Sequence, residues 1–536
     1  MGNTISYDEK PYDLGLGDKG AIRGLQFDEK ARRYAGIPYA LPPTGENRWR
    51  KPRPLPAGYT YGEGADKPLD ATKFKPICPQ NAWNVVKPEG GFGQYSEDCL
   101  IVNIWTPVGD ERKSKWPVML WIHGGWFQMG DPSQDSGMDP TELISTGGLN
   151  AIVVSIGYRL NVFGFLAGRE LMAESQGTSG GNFGLWDQRV AAEWVKENIS
   201  LFGGDPDNIT LAGRSAGAYS VEAQMLHDFR KPGPKTSLYR RAFMDSNAIP
   251  AQPKSLEDIQ VQFDELCAYF KFDESWSGEK KLESLRKLGA QDVLEAIPKL
   301  KHHTFRPVTD DLFFHSGMTE YLQSREFADE FKARNYKLLI GEVANEETLY
   351  SSYNSPTEPT IEALKLQVMN YYAPGVTERA ISCSELPTAP DLDLWKKTFG
   401  NIISDGQVRA PSRALVKHLE ANGVELRDIW RYQVAYRFSF IDETVAPMSF
   451  GVAHAMDKPF WNFSIQYGPT PKENELMHDW IKILVVFVNN DETYEFGTKT
   501  LQDMKVVTPQ ATIEIQKDKR WDELVKIGEV FSGHKV

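Results

Sequence analysis

An α/β fold on a large, mostly parallel central sheet flanked by helices is what this 536-residue sequence predicts. Three observations carry that expectation. Short apolar runs bounded by Gly, Pro or polar clusters recur at 117–122 (PVMLWI), 151–156 (AIVVSI), 209–213 (ITLAG), 337–341 (KLLIG) and 430–436 (WRYQVAY), as fully buried parallel strands require. Helical patterns separate them, such as LWDQRVAAEWVKENI at 185–199, where Val190, Trp194 and Ile199 fall near one face. No linker, internal repeat or low-complexity tract interrupts the chain, and with 41% hydrophobic and 12% aromatic residues it can fill one large core.

Composition narrows the partners. A formal charge of −13, with the acidic residues spread along the chain, argues against nucleic acid and against docking on anionic lipid. A small, largely neutral molecule is the expected partner. The longest apolar stretches, such as IKILVVFV at 481–488, fall short of the roughly 18 residues that span a bilayer, so no membrane insertion is expected. The N-terminal MGNTISYDEKPYDLG lacks an apolar signal region, which makes the cytoplasm the expected location unless a leader was removed. MGNTIS matches the pattern for myristoylation of Gly2, but Asp8 and Glu9 follow and a second membrane signal is missing, so a plain terminus is expected. None of the four cysteines forms a Cys-x-x-Cys pair, His302 and His303 are adjacent and point apart, and His-Glu-x-x-His does not occur. Neither a metal nor a cofactor is expected.

The stretch LAGRSAGAYS places Ser215 between glycines 213 and 217, after an apolar strand and before a helical pattern. A sharp strand-to-helix turn of that kind exposes the hydroxyl and aims backbone N–H groups of a helix N-terminus at the same point. Ser215 is therefore a candidate nucleophile. Such a serine needs a base, and in the order Ser, acid, His the choices are His418, His454, His478 and His534. His418 and His478 read as helix-surface residues and His534 as a frayed end, whereas FGVAHAMDKPFW sets His454 in a loop after a strand, which suits a base. The acid should end a strand between them, and GEVANEET offers Glu342, Glu346 and Glu347 without choosing.

At this point the chain resembles the type-B carboxylesterase/lipase family, the cholinesterase-like α/β-hydrolases. AGIPYALPPTGENRWRKP, SEDCLIVNIWTP, WIHGGWF, SIGYRLNVFGFL, GNFGLWDQRVAAEWVKENISLFGGDPDNITLAGRSAGAYS and LYRRAFMDS follow that family's signatures in order, and the intervals between candidate residues look like those of its fungal esterase/lipase branch. The resemblance implies an α/β-hydrolase fold over 20–536, one domain with inserted lid and cap segments, preceded by an extension at 1–19. It implies Ser215 as nucleophile and His454 as base, from GVAHAMD. It implies Glu346 as acid rather than Glu347, although Asn345 and Glu347 stand where the family has Asp and Gly. The N–H groups of Gly125, Trp126 and Ala216 would form an oxyanion hole, with Gly124, Phe127 and Arg214 lining the substrate pocket.

Several details refine that picture. Trp126 stands where relatives carry a third glycine, and its indole is expected to line the pocket beside Ser215 and select flat esters over bulky ones. Arg214 replaces the usual Glu and would repel a quaternary ammonium group. Arg48 and Glu97 resemble a structural ion pair of the family. Cys78 and Cys99 resemble its N-terminal disulfide, a bond that cytosolic glutathione would oppose, and Cys267 and Cys383 are expected to stay reduced. The expected activity is hydrolysis of small to medium, largely neutral carboxylic esters through an acyl-enzyme. The same machinery on a lactone or amide, or acyl transfer, is the alternative, and a non-catalytic binding protein a more distant one. Oligomeric state is not legible in the sequence.

Overall fold

A computed structural model describes residues 5–64, 66–81, 95–133, 139–230 and 237–533. Gly2 and His534 lie outside the described residues. The sheet strands are β1 (Glu9–Gly15), β2 (Ala21–Phe27), β3 (Ala31–Pro38), β4 (Ile101–Pro107), β5 (Trp116–Ile122), β6 (Ile152–Ile156), β7 (Gly204–Arg214), β8 (Arg241–Asp245), β9 (Lys337–Val343), β10 (Ile429–Val434), β11 (Asp503–Val507) and β12 (Ile513–Lys517). Among the described residues they lie in the order β1-β2-β3-β4-β6-β5-β7-β8-β9-β10-β11-β12, with Leu69–Asp70 pairing alongside β2. From β6 to β11 every neighbour runs parallel, while both ends of the sheet are antiparallel. All five apolar runs picked out in the sequence are strands of the parallel block. Residues 9–15, within the segment expected as an N-terminal extension, form the sheet's first edge strand, paired along their whole length with β2. Their charged, exposed EKPYDLG has no apolar alternation to announce a strand, but charge suits an edge that must not pair further.

Side-chain alternation along the parallel strands divides the core into two layers. Val118, Leu120 and Ile122 of β5 face one cluster and Met119 and Trp121 the other, and β9 likewise sends Leu338 and Ile340 one way and Leu339 the other. Helix α1 (Phe183–Asn198) and helix α2 (Ala216–Phe229) cover the first face. The second is covered by a long helix near the C-terminus, Pro471–Asn489, whose Met477, Trp480, Ile481 and Leu484 enter that layer. Its start is fixed by a capping box between Thr470 and Glu473 and by proline at the first turn. IKILVVFV is the C-terminal half of this core helix, which accounts for its apolarity. No helix among the described residues is long and apolar enough to cross a membrane.

Cys78 and Cys99 are bonded, with Cα atoms 5.1 Å apart, and Cys267 and Cys383 are free. The bond closes a loop of 21 residues' separation. Replacing both cysteines with serine is expected to lower the unfolding free energy by about 3 kcal/mol in the chain-entropy picture, checked by denaturant titration of both proteins. Nearby, Arg48 donates from Nε to Glu97 Oε2 at 2.6 Å and from Nη1 to the Leu288 carbonyl at 2.9 Å. The pair therefore ties this N-terminal region to the helical segment ending near 288.

Candidate active site

All the candidate residues leave the carboxyl ends of parallel strands, the edge of such a sheet where ligands are bound. Gly124–Phe127 follow β5, Ser215 follows β7, Glu346 follows β9, and the loop carrying His454 follows β10.

Ser215 sits between β7 and α2 with φ 56° and ψ −124°, a conformation that costs a non-glycine residue about 1–3 kcal/mol. The neighbours enforce it. A Cβ on Gly217 would lie 2.0 Å from the Ile122 carbonyl oxygen, and one on Gly213 would lie 2.5 Å from the backbone of Gly217. The two glycines thus let α2 start directly against β5, while the Ser215 N–H donates to the Asp245 carbonyl at 2.7 Å. Gly217→Ala is expected to destabilise the fold by about 1–3 kcal/mol through this overpacking, read as a lower thermal midpoint. A midpoint equal to that of the unaltered protein would mean that the turn is looser than this contact implies.

The turn after β5 is also held in an uncommon conformation. Gly125, Trp126 and Phe127 have φ of 110°, 56° and 67°. The Gly125 carbonyl accepts from Gln128 and Met129 N–H, the Gln128 side chain donates to the Trp126 carbonyl, and the Phe127 carbonyl accepts from Asn161 N–H. A Cβ on Gly125 would strike the Met129 carbonyl at 2.1 Å, and one on Gly124 would reach the Ser215 Cβ at 3.0 Å. The two turns are therefore in contact. The N–H groups of Gly125, Trp126 and Ala216 have no acceptor among the described residues. His123, just before them, is pushed down to about 4 by burial and stacks on Tyr158 at 4.4 Å.

Of the three glutamates, only Glu346 meets His454. Its Oε2 lies 2.5 Å from His454 Nδ1, and its Oε1 accepts the Val343 N–H at 2.9 Å. Glu347, next along the helix Glu346–Ser352, turns away to Arg409 at 2.5 Å, and Glu342 pairs with Arg413 at 2.9 Å. Asn345 pins the His454 loop to this turn: its N–H donates to the Val452 carbonyl at 2.9 Å and its Oδ1 accepts the Val452 N–H at 3.1 Å. Gly451 makes that approach possible, since its φ is 62° and a Cβ there would lie 2.2 Å from Asn345 Oδ1. His454 Nε2 is buried without a hydrogen-bond partner among the described residues. His418 and His478 stand on the helices Ala410–Ala421 and Pro471–Asn489.

Two residues expected in the pocket are packed elsewhere. Phe127 is fully buried, against Phe165 and Tyr219, because its positive φ turns the chain inward and its ring completes the first core layer. Arg214 is buried under the turn with Nε donating to Asp245 Oδ2 at 2.7 Å, so its charge is compensated and the repulsion of a quaternary ammonium group loses its basis. Trp126 is partly buried, its ring 5.4 Å from Tyr353 and 6.4 Å from Tyr350, whose own ring lies 5.3 Å from His454.

Sequence reasoning missed the polar group beneath the serine turn. Asp245 Oδ1 accepts from Tyr432 at 2.9 Å, and Asp457, three residues after His454, accepts from Trp461 Nε1 at 3.0 Å. Burial, with the Asp245 charge beside it, raises the Asp457 carboxyl well above the ordinary range. Both aspartates lie in quoted motifs, LYRRAFMDS and GVAHAMD, but only tertiary contact joins them.

The carboxylesterase family profile matches residues 16–529. The chain belongs to the carboxylesterase family. This carboxylesterase-family chain is 37% identical to an uncharacterized esterase/lipase of Schizosaccharomyces pombe, over 99% of this chain and 98% of the relative. It is 36% identical, over the same shares of both chains, to a carboxylic ester hydrolase of Gibberella moniliformis. In structure it is similar to a thermophilic pNB esterase, with a TM-score of 0.75 and 24% identity over 96% of this chain and 99% of that one, which fixes the α/β-hydrolase fold. It is a carboxylic ester hydrolase by family.

Proposed function

We propose that this protein hydrolyses small to medium carboxylic esters through an acyl-enzyme on Ser215, with His454 as base and Glu346 as its orienting acid. The observation that carries the reading is the Glu346–His454 hydrogen bond beside an unpartnered His454 Nε2, at the sheet edge that holds the strained Ser215. Glu346 holds the proton on Nδ1, which leaves the Nε2 lone pair to take the Ser215 proton as Oγ attacks the ester carbonyl. The tetrahedral oxyanion is received by the N–H groups of Gly125, Trp126 and Ala216, each supplying about 3–4 kcal/mol of barrier lowering. His454 then gives its proton to the departing alcohol, and water repeats the sequence on the acyl-enzyme. A chromogenic panel of acyl esters from acetate to palmitate tests the reading, and no turnover on any member would sink it.

Trp126 would select among those esters. It presents an indole, flanked by Tyr350 and Tyr353, next to an oxyanion donor. Its Nε1 is buried without a hydrogen-bond partner among the described residues, so a substrate oxygen reaching it would satisfy a donor that is otherwise unpaired. Trp126→Gly is expected to broaden acceptance of bulky esters and weaken selection for aromatic ones, with a differential effect of about 1–3 kcal/mol. Paired kcat/KM values for bulky and small esters read the effect, and an unchanged ratio would assign the indole to packing alone.

A further inference from the structure

Buried arginines in this protein normally face a carboxylate. Arg159 meets Asp187, Arg189 meets Asp228, Arg214 meets Asp245 and Arg409 meets Glu347. Arg306 does not. It is partly buried and has no carboxylate partner among the described residues; its one hydrogen bond runs from Nη2 to Gln407 Oε1 at 2.8 Å. Its guanidinium lies 5.1 Å from the ring of Tyr371, 5.7 Å from Phe127 and 5.8 Å from Tyr219. Ring faces hold a guanidinium by cation–π attraction without using its N–H groups, so most of its five donors remain available.

Two of these neighbours, Phe127 and Tyr219, lie at the two turns of the candidate site. Phe127 follows Trp126, and Tyr219 is one helical turn beyond Ser215, its N–H bonded to the Ser215 carbonyl at 3.0 Å. The segment is fixed in place, because the Gln128 side chain donates to the Phe305 carbonyl at 2.5 Å and accepts the Phe305 N–H at 3.2 Å. A second cation lies on the neighbouring segment: the Lys254 carbonyl accepts the N–H of Thr309, three residues past Arg306, at 2.8 Å, and Lys254 has no ion pair among the described residues. Burial chiefly, and the Arg306 charge next, push its ammonium down to about 8, with the charge of Asp258 acting the other way. Two cations that repel each other in a half-closed place are tolerated best when an anion joins them.

We propose that Arg306, with Lys254 near it, forms an anion subsite beside the Ser215 turn and binds a carboxylate carried by the ester substrate. The planar fork of Arg306 suits the two oxygens of a carboxylate. The net charge of −13 does not oppose this, because the surface charges that produce it are screened over about 8–10 Å while these two cations act at contact. The inference rests on the ester-hydrolase reading and replaces a wholly neutral substrate with one that is anionic at one end.

Two matched pairs test it by acid release in a pH-stat. Ethyl hydrogen adipate against ethyl hexanoate puts the carboxylate on the acyl side, and 6-acetoxyhexanoate against hexyl acetate puts it on the alcohol side. In one of the pairs, Arg306→Gln is expected to lower the anionic-to-neutral ratio of kcat/KM about tenfold to a hundredfold, chiefly through KM, and Arg306→Lys to lower it less. Raising NaCl to about 1 M should lower the same ratio in the unaltered protein. A ratio that stays within about twofold for both pairs in Arg306→Gln would overturn the proposal. Should that variant fail to fold, a ratio insensitive both to salt and to Arg306→Lys overturns it equally. If the unaltered protein turned over neither the neutral nor the anionic esters, the failure would belong to the ester-hydrolase reading instead.

Discussion

Ser215→Ala is expected to lower kcat for a small activated ester by about four to six powers of ten while leaving the fold intact. The chemistry has no substitute for the hydroxyl, since a hydrogen bond from His454 to Glu346 is of no use without an oxygen to deprotonate. The fold does not need it. The Ser215 hydroxyl makes no hydrogen bond to any described residue, and the turn is held by its backbone bond to Asp245 and by the close packing of Gly213 and Gly217. The check is single-turnover and steady-state kinetics beside a thermal melt. Activity within tenfold of the unaltered protein would remove Ser215 from the reaction and the acyl-enzyme with it.

Glu346→Gln is expected to cost about three to four powers of ten in kcat, and Glu347→Gln less than about tenfold. The difference comes from what each carboxylate touches. Glu346 is fully buried, with one oxygen on His454 Nδ1 and the other on the Val343 N–H, so an amide there can hold the ring but cannot balance the charge of the imidazolium. Glu347 faces Arg409, with Asn345 Nδ2 at 3.3 Å, and its loss disturbs that ion pair rather than the imidazole. Measured on the same ester, equal losses or the reverse order would move the acid to Glu347.

Much of this protein is decided by local sequence. Five of the seven strands from β6 to β11 carry an apolar run, because a strand covered on both faces favours apolar residues on both sides, while β8 and β11 carry charged residues and are not legible this way. Ser215 is legible for a similar reason: small residues at 213 and 217 are demanded by a strand-to-helix turn only one backbone thick, and that demand is written in consecutive positions. The family motifs extend the same legibility to His454 and to the Cys78–Cys99 bond.

Tertiary structure decided what depends on direction and on contacts distant in sequence. Glu346 and Glu347 are neighbours in the chain, but successive residues on a helix point about 100° apart, so one reaches the histidine and the other an arginine some sixty positions away. Phe127 and Arg214 flank candidate site residues in sequence, yet three consecutive positive φ angles send the phenylalanine into the core and Asp245 draws the arginine beneath the turn. The edge strand at 9–15 has no apolar signature because its partner, not its own side chains, supplies its order. Arg306 is one charge among many in the sequence; only folding reveals that it stands among aromatic rings, without a carboxylate among the described residues, beside the serine turn, since the cost of an uncompensated charge arises from burial and burial is a property of the whole chain.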